Sequence, residues 1–328
     1  MTRGSGSSSI SSRTSTSSST PDRRPDNHPG SPGVFPRARQ SSPRAAVVGL
    51  LRLIHPFPSA LDGIVAGAVA LVAGAPPATT VRVGVAMLAL QAGIGAANDL
   101  LDAPDDAIGK PWKPIPAGRV AERTGEWVVM VALAAGLALA AVSGPAALAV
   151  AVAGTAIGLV YDLRLKGTPW SWAAFALGVP LLPLFGWVGS GVPVPPALLL
   201  AAVVAVPAGA ALALANAVAD VEADTASGRG SVATALGAGR AWAIGVALQA
   251  VVVGASVVAL LVSGALPGAG GADPWRVIAL SGSVAVLALG LVLGRSRDTP
   301  VATRGWELQA VGLGCLAVAW LLSMPLRP

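Results

Sequence analysis

Nine runs of apolar residues follow one another along the chain, at roughly 46–74, 80–101, 125–143, 145–161, 170–189, 195–219, 239–264, 275–294 and 306–324. The runs are continuous and do not alternate apolar with polar, which argues against a membrane β-barrel. Most are near the ~20 residues that an α-helix needs to cross the hydrocarbon core. The pattern therefore predicts an all-α, polytopic membrane protein with nine transmembrane helices. The fourth run is short, and "SGP" at 143–145 predicts a tight turn before it. Pro180, Pro183 and Pro207 are expected to kink runs five and six.

The breaks between runs are of two kinds. Every second break carries cations: Lys110, Lys113, Arg119 and Arg123, then Arg164 and Lys166, then Arg229 and Arg240, then Arg295, Arg297 and Arg304. The alternate breaks, "GAPPATT", "SGP", "GSGVPVPP" and "SGALPGAGGADP", hold no Lys or Arg. By the positive-inside rule the N-terminus is cytoplasmic, and nine crossings put the C-terminus outside.

Residues 1–44 are rich in Ser, Thr, Pro and Arg and poor in apolar residues. They read as a disordered basic tail ahead of a transmembrane domain at 45–326. The same make-up fits a plastid transit peptide. The Ala, Gly, Val and Arg usage of the remainder points instead to a GC-rich bacterium and its plasma membrane.

Composition agrees with the pattern. The 328 residues are 54% hydrophobic and 12% charged, about half the charged fraction of a soluble domain. Mean hydropathy is +0.69. One cysteine, Cys315, cannot form an intrachain disulfide, and two histidines leave little room for zinc chemistry. Nothing in the sequence calls for a nucleic acid or an obligate protein partner.

Against this background two acidic clusters stand out. "NDLLDAPDD" (98–106) closes the second run and "NAVADVEAD" (216–224) closes the sixth. Both runs travel from outside to inside, so both clusters reach the cytoplasmic side. On a helix Asp99, Asp102 and Asp106 lie within about 60° of one another, with Asn98 one turn before Asp102 and Asp105 off that face. Pro104 disfavours helix at Ala103, so the helix is expected to end near Asp102. Asn216, Asp220 and Asp224 form a single i, i+4, i+8 stripe, and Glu222 points away if that helix continues. Carboxylates crowded at a helix C-terminus repel each other and the helix dipole. A hard divalent cation such as Mg²⁺ reverses that sign, and it usually binds through one or two carboxylates plus substrate phosphates.

At these residues the sequence resembles the UbiA superfamily of intramembrane prenyltransferases. The family's first motif, NDxxDxxxD, is matched by Asn98, Asp99, Asp102 and Asp106, followed by "KPWKPIPAGR" (110–119). Its second motif is matched by Asp220, Glu222 and Asp224, then Gly228 and Ser231, and "YDLRLKGTP" (161–169) is similar to the loop between. The resemblance implies nine helices around a central cavity with a polar cytoplasmic cap. It implies a polyprenyl diphosphate held by two Mg²⁺ ions and a hydrophobic acceptor, aromatic or lipid, that takes the prenyl group. Asn98, Asp99, Asp102 and Asp106 would hold one ion, and Asp220, Asp224 and Glu222 the other. Lys113, Lys110, Arg119 and Arg229 would meet the diphosphate, with Tyr161 and Lys166 beside the reacting centre. Lys113 stands where the family usually has Arg, Thr225 replaces a frequent Arg, and Ala223 a frequent Gly. A terpene cyclase on the same scaffold would use the same groups, and a non-catalytic protein could retain the fold.

Four further residues belong to the expected cavity or acceptor site. Asp62 lies near the middle of the first run, where a carboxylate is costly and points to function; a carboxyl hydrogen-bonded to a neighbouring helix, or a neutral one, is the alternative. Arg52 and His55, spaced i, i+3, are expected on one helix face where they could meet an acidic acceptor; interfacial anchoring is the alternative. Gln91 is expected to reach the cavity. Tyr161, the only tyrosine, would otherwise be an interfacial-belt residue.

Overall fold

A computed structural model describes residues 42–262 and 274–323. The tail expected over 1–44 lies outside the described residues except for 42–44. So do the tip of the break at 263–273 and the C-terminal residues after Ser323.

Twelve α-helices make up the described chain: α1 (Pro43–Leu53), α2 (Pro56–Val72), α3 (Pro77–Gly109), α4 (Glu122–Val142), α5 (Pro145–Val160), α6 (Trp172–Gly178), α7 (Leu181–Val188), α8 (Pro196–Ser227), α9 (Val232–Leu236), α10 (Ala238–Val262), α11 (Pro274–Leu293) and α12 (Thr299–Ser323). Seven spans among the described residues are long and apolar enough to cross a membrane. An eighth is made by α1 and α2 together, bent by 52°. The fifth run is shorter than expected, an apolar stretch over Trp172–Val188 broken at Pro180 into α6 and α7. The protein is a multi-pass helical membrane protein.

The break between α1 and α2 corrects one expectation. His55 adopts a left-handed backbone, φ 48°, because Pro56 disfavours the helical region for the residue before it. Arg52 and His55 therefore do not share a face of one continuous helix. Pro104 and Pro207 are tolerated inside α3 and α8, which run on past them.

Those two helices are much longer than a crossing needs. At 33 and 32 residues each spans about 50 Å, against a hydrocarbon core of about 30 Å. Both acidic clusters occupy the overhanging last turns.

Packing is close where glycine permits it. A Cβ on Gly136 of α4 would stand 2.7 Å from Leu90 Cγ of α3, and one on Gly93 of α3 would stand 2.6 Å from Leu133 Cδ2 of α4. Each helix thus inserts a leucine into the other's glycine notch, as expected where van der Waals contact drives helix association in lipid. The outward faces stay apolar and exposed, with Trp127, Met130 and Val131 on α4 as examples. Helix α12 packs back against α2, closing the bundle. Among the described residues the internal cavity is walled by α2, α3, α5, α6, α7, α8 and α12, while α4, α10 and α11 contribute nothing to that wall.

Candidate active site

The cavity has a volume of about 490 Å³. Its deep part is apolar, walled by residues such as Leu90, Ile94, Val150, Leu182 and Phe185. Its mouth is ionic, and four chain segments build it.

The end of α3 supplies Asn98, Asp99, Asp102 and Asp106. Because the helix continues through Pro104, all four stay on one side, while Asp105 is 70% exposed. The turn that follows is a wedge with Pro114, Ile115 and Val120 buried. It folds Lys113 back onto the helix it has just left. Lys113 Nζ lies 2.8 Å from Asp99 Oδ1, 2.7 Å from Asp106 Oδ2 and 4.0 Å from Asp102 Oδ2. Burial lowers the lysine's affinity for its proton, but the charges of Asp99 and Asp106 and its close contacts with both outweigh it, so its pKa lies above the ordinary 10.5.

The end of α5 supplies the second segment. Its last turn widens into a π-helical turn over Tyr161–Leu165. Such a bulge re-aims side chains and recurs at functional sites. Here it turns Tyr161 and Asp162 into the cavity. The Tyr161 ring meets Phe175 edge-on at 5.6 Å. Asn98 Nδ2 donates to Asp162 Oδ1 at 2.6 Å. Lys166, just after the bulge, donates to Asp102 Oδ2.

The third segment is the end of α8. Asn216, Asp220 and Asp224 line the cavity from one stripe. Glu222 is exposed and outside the cavity, as follows from the helix continuing to Ser227. Lys110 Nζ lies 3.6 Å from Asp220 Oδ1, and Ser231 hydrogen-bonds Asp224. After α8, Gly228 takes a left-handed φ of 69° and the chain turns back. Arg229 then reaches α3, with Nη2 3.6 Å from Asp106 Oδ1 and Nε 3.7 Å from Asp105 Oδ2. The loops bearing Lys166 and Arg229 touch at glycines: a Cβ on Gly230 would stand 2.6 Å from the carbonyl oxygen of Gly167.

The start of α2 is the fourth segment. His55 Nε2 lies 3.0 Å from Asp99 Oδ1. Deeper in, Gln91 Nε2 donates to Asp62 Oδ2 at 2.5 Å. Arg52 is exposed and lines neither the mouth nor the cavity. Arg119 is also outside the cavity wall, with its Cβ 3.0 Å from where a Cβ on Gly49 of α1 would stand. Sequence reasoning missed Asp162, although it adjoins Tyr161 in the quoted loop. Only the bulge, which no local pattern signals, brings it to Asn98.

Among the described residues no three His, Cys, Asp or Glu side chains converge as a ready metal set. Lysine ammonium groups stand between the carboxylates instead. The donor chemistry nevertheless fits a hard cation. Asp106 is 1% exposed, and neither of its oxygens accepts an aligned hydrogen bond; ion pairs to Lys113 and Arg229 hold it. Such a carboxylate suits a divalent ion completed by phosphate oxygens.

An intramembrane cavity with hydrocarbon walls and an ionic, carboxylate-and-lysine mouth defines a class of membrane protein built to hold an amphiphile with a strongly anionic head. The chain belongs to the UbiA prenyltransferase family, matching it over residues 63–311. Over 78 residues it is 40% identical to the digeranylgeranylglyceryl phosphate synthase of Methanopyrus kandleri, covering 24% of this chain and 29% of that protein. Over 153 residues it is 32% identical to the chloroplastic chlorophyll synthase of Oryza sativa subsp. japonica, covering 43% and 40%. These matches span less than half the length of either relative. A UbiA homologue from Archaeoglobus fulgidus, solved bound to GPP and Mg²⁺, shares the fold with a TM-score of 0.63 at 21% identity, over 83% of this chain and 99% of that one.

Proposed function

We propose that this protein is a Mg²⁺-dependent membrane prenyltransferase, which transfers a prenyl group from a polyprenyl diphosphate to an aromatic or lipid acceptor. The observation that carries the reading is the meeting of the α3 and α8 carboxylates, with Lys110, Lys113, Lys166 and Arg229, at the mouth of one hydrocarbon-walled cavity. Membership of the family supports it, as do the substrates held by its structural relatives.

Asp99, Asp102 and Asp106, with Asn98, would hold one Mg²⁺, and Asp220 and Asp224 a second. Mg²⁺ held there would supply positive charge to offset that of the diphosphate, which would ease its departure as pyrophosphate. Lys113, Lys166 and Arg229 then exchange carboxylate partners for phosphate oxygens, which binds and orients the head. The apolar walls take the prenyl chain and keep water from the allylic cation. Tyr161 presents its ring beneath the mouth, where an aromatic face stabilises positive charge. Asp99 and Asp106 lie just behind the cavity wall and join the site through Lys113. Glu222, Arg119 and Arg52 have no role in this reading, since among the described residues none lines the cavity or pairs with a cation that does.

For topology, we read α1 with α2 as the first crossing and Trp172–Val188 as a thin fifth, giving nine. Both clusters then lie on the cytoplasmic side of a bacterial plasma membrane, with the N-terminus inside and the C-terminus outside. The alternation of cation-bearing and cation-free breaks supports this.

The test uses purified protein with Mg²⁺ and farnesyl or geranylgeranyl diphosphate, with and without an added long-chain alcohol or phenol as acceptor. Mg²⁺-dependent pyrophosphate release is expected, with a prenylated acceptor as product. No release with either chain length would count decisively against the reading, and a cyclised hydrocarbon product would replace transfer by cyclisation.

A further inference from the structure

Asp62 and Gln91 are not needed to hold a diphosphate. Asp62 lies seven residues after His55 on α2, and Gln91 seven before Asn98 on the antiparallel α3. The pair therefore sits about 10 Å below the ionic mouth. Gln91 donates to Asp62 Oδ2 at 2.5 Å. Among the described residues no donor reaches the other oxygen, Oδ1, although the residue lines the cavity. A carboxylate oxygen left without a donor inside hydrocarbon is costly.

The surroundings narrow what could relieve it. The cations on the cavity wall, Lys110, Lys113, Lys166 and Arg229, all come from the mouth loops and already face carboxylates. His55 is engaged by Asp99. Among the described residues no cation is left at depth to match an anionic group. Beside Asp62 a second cavity of about 120 Å³ runs between α2, α7, α8, α10 and α12. It shares six wall residues with the main cavity, Asp62 among them, and among the described residues Asp62 is the one ionisable side chain in its wall.

We infer that Asp62, held by Gln91, is the specificity residue for a neutral alcohol or phenol bearing a hydrocarbon tail. The hydroxyl donates to Oδ1 and the tail enters the second cavity. An acid of the same shape is rejected, because its carboxylate would face Asp62 with no cation nearby. That this ligand is the prenyl acceptor rests on the function proposed above; the binding preference itself does not.

The experiment is a titration of the full chain in lipid nanodiscs with three probes whose short tails match a cavity of about 120 Å³: para-butylphenol, its methyl ether and para-butylbenzoic acid. The wild type is expected to bind the phenol up to about tenfold tighter than the ether, the scale of one hydrogen bond. Asp62→Leu should reduce that ratio to roughly twofold or less, and Asp62→Asn, which keeps an acceptor oxygen, should fall between. The inference is overturned if the wild type does not distinguish phenol from ether, if Asp62→Leu still does, or if the benzoic acid binds as well as the phenol. A separate titration of wild type with geranylgeranyl diphosphate and Mg²⁺ judges the prenyltransferase reading alone. Absence of binding there would overturn that reading, while the phenol-to-ether ratio would still decide the role of Asp62.

Discussion

Lys110 and Asp220 face each other across the mouth of the cavity, Nζ to Oδ1 at 3.6 Å. One residue follows the first acidic cluster and the other begins the second stripe's acidic part. Their approach joins two motifs more than a hundred residues apart into one rim.

If that rim is a divided metal site, each half is indispensable. Asp99→Asn and Asp220→Asn should each lower pyrophosphate release by at least about a hundredfold, the scale lost when a charge-stabilising group is removed. Size-exclusion profiles should be unchanged. Wild-type turnover in either variant would sink the two-centre assignment.

Lys113 acts as the resident counter-charge of the α3 carboxylates. Without Mg²⁺, Lys113→Met leaves Asp99 and Asp106 buried and underpaired, a loss of about 3 kcal/mol. Thermal unfolding should show a lower Tm for the variant, with Mg²⁺ restoring more of it than it adds to wild type. The folded-state pKa of Lys113 is raised above 10.5. Its contribution is therefore complete below that value and lost only as pH rises through the folded value. The Tm gap between wild type and variant should be flat through neutral pH and close only in strong alkali.

Gly230 marks a contact rather than a turn, since its Cβ would meet the Gly167 carbonyl at 2.6 Å. Gly230→Ala must push apart the loops that carry Lys166 and Arg229. A fall in kcat/KM of about tenfold or more is expected, because small misplacements of positioning groups are costly. The helical bundle lies elsewhere, so circular dichroism should be unaltered. Unaltered kinetics would show the two loops to be independent.

The glycine notches between α3 and α4 make a stability prediction that does not involve chemistry. Gly136→Val should overpack Leu90 and destabilise the protein by about 1–3 kcal/mol, read as a lower Tm in detergent. Addition of prenyl diphosphate and Mg²⁺ should still raise that Tm.

Much of this protein is legible in its sequence because lipid imposes a strict rule. A backbone in hydrocarbon must satisfy its own hydrogen bonds, so long apolar runs become helices. The acidic clusters are legible too, since Asn216, Asp220 and Asp224 repeat at the helical period and do share a wall. What escapes is local backbone irregularity. Pro104 predicts an end to α3, yet the helix absorbs it and keeps Asp106 in line with Asp99. The spacing of His55 from Arg52 predicts a shared helix face, but Pro56 forces His55 left-handed and onto Asp99. The π-turn that aims Asp162 at Asn98 has no periodic signature. The split of the fifth run follows from Pro180, while the choice of which helices wall the cavity depends on tertiary packing. Arg119 follows the first motif in sequence yet is absent from the cavity wall, so adjacency along the chain does not by itself place a cation there.

The overhang of α3 and α8 has a physiological corollary. With about 50 Å of helix in a bilayer of fixed thickness, the depth of the ionic rim is set by how the apolar stretches match the surrounding lipid. A thicker bilayer would draw the rim toward the acyl chains, where charged groups are poorly tolerated; a thinner one would lift it into bulk water, where a reactive cation is quenched. The lipid around this protein is thus a tuning variable for its chemistry, and acyl-chain length becomes a means of adjusting it without touching a residue.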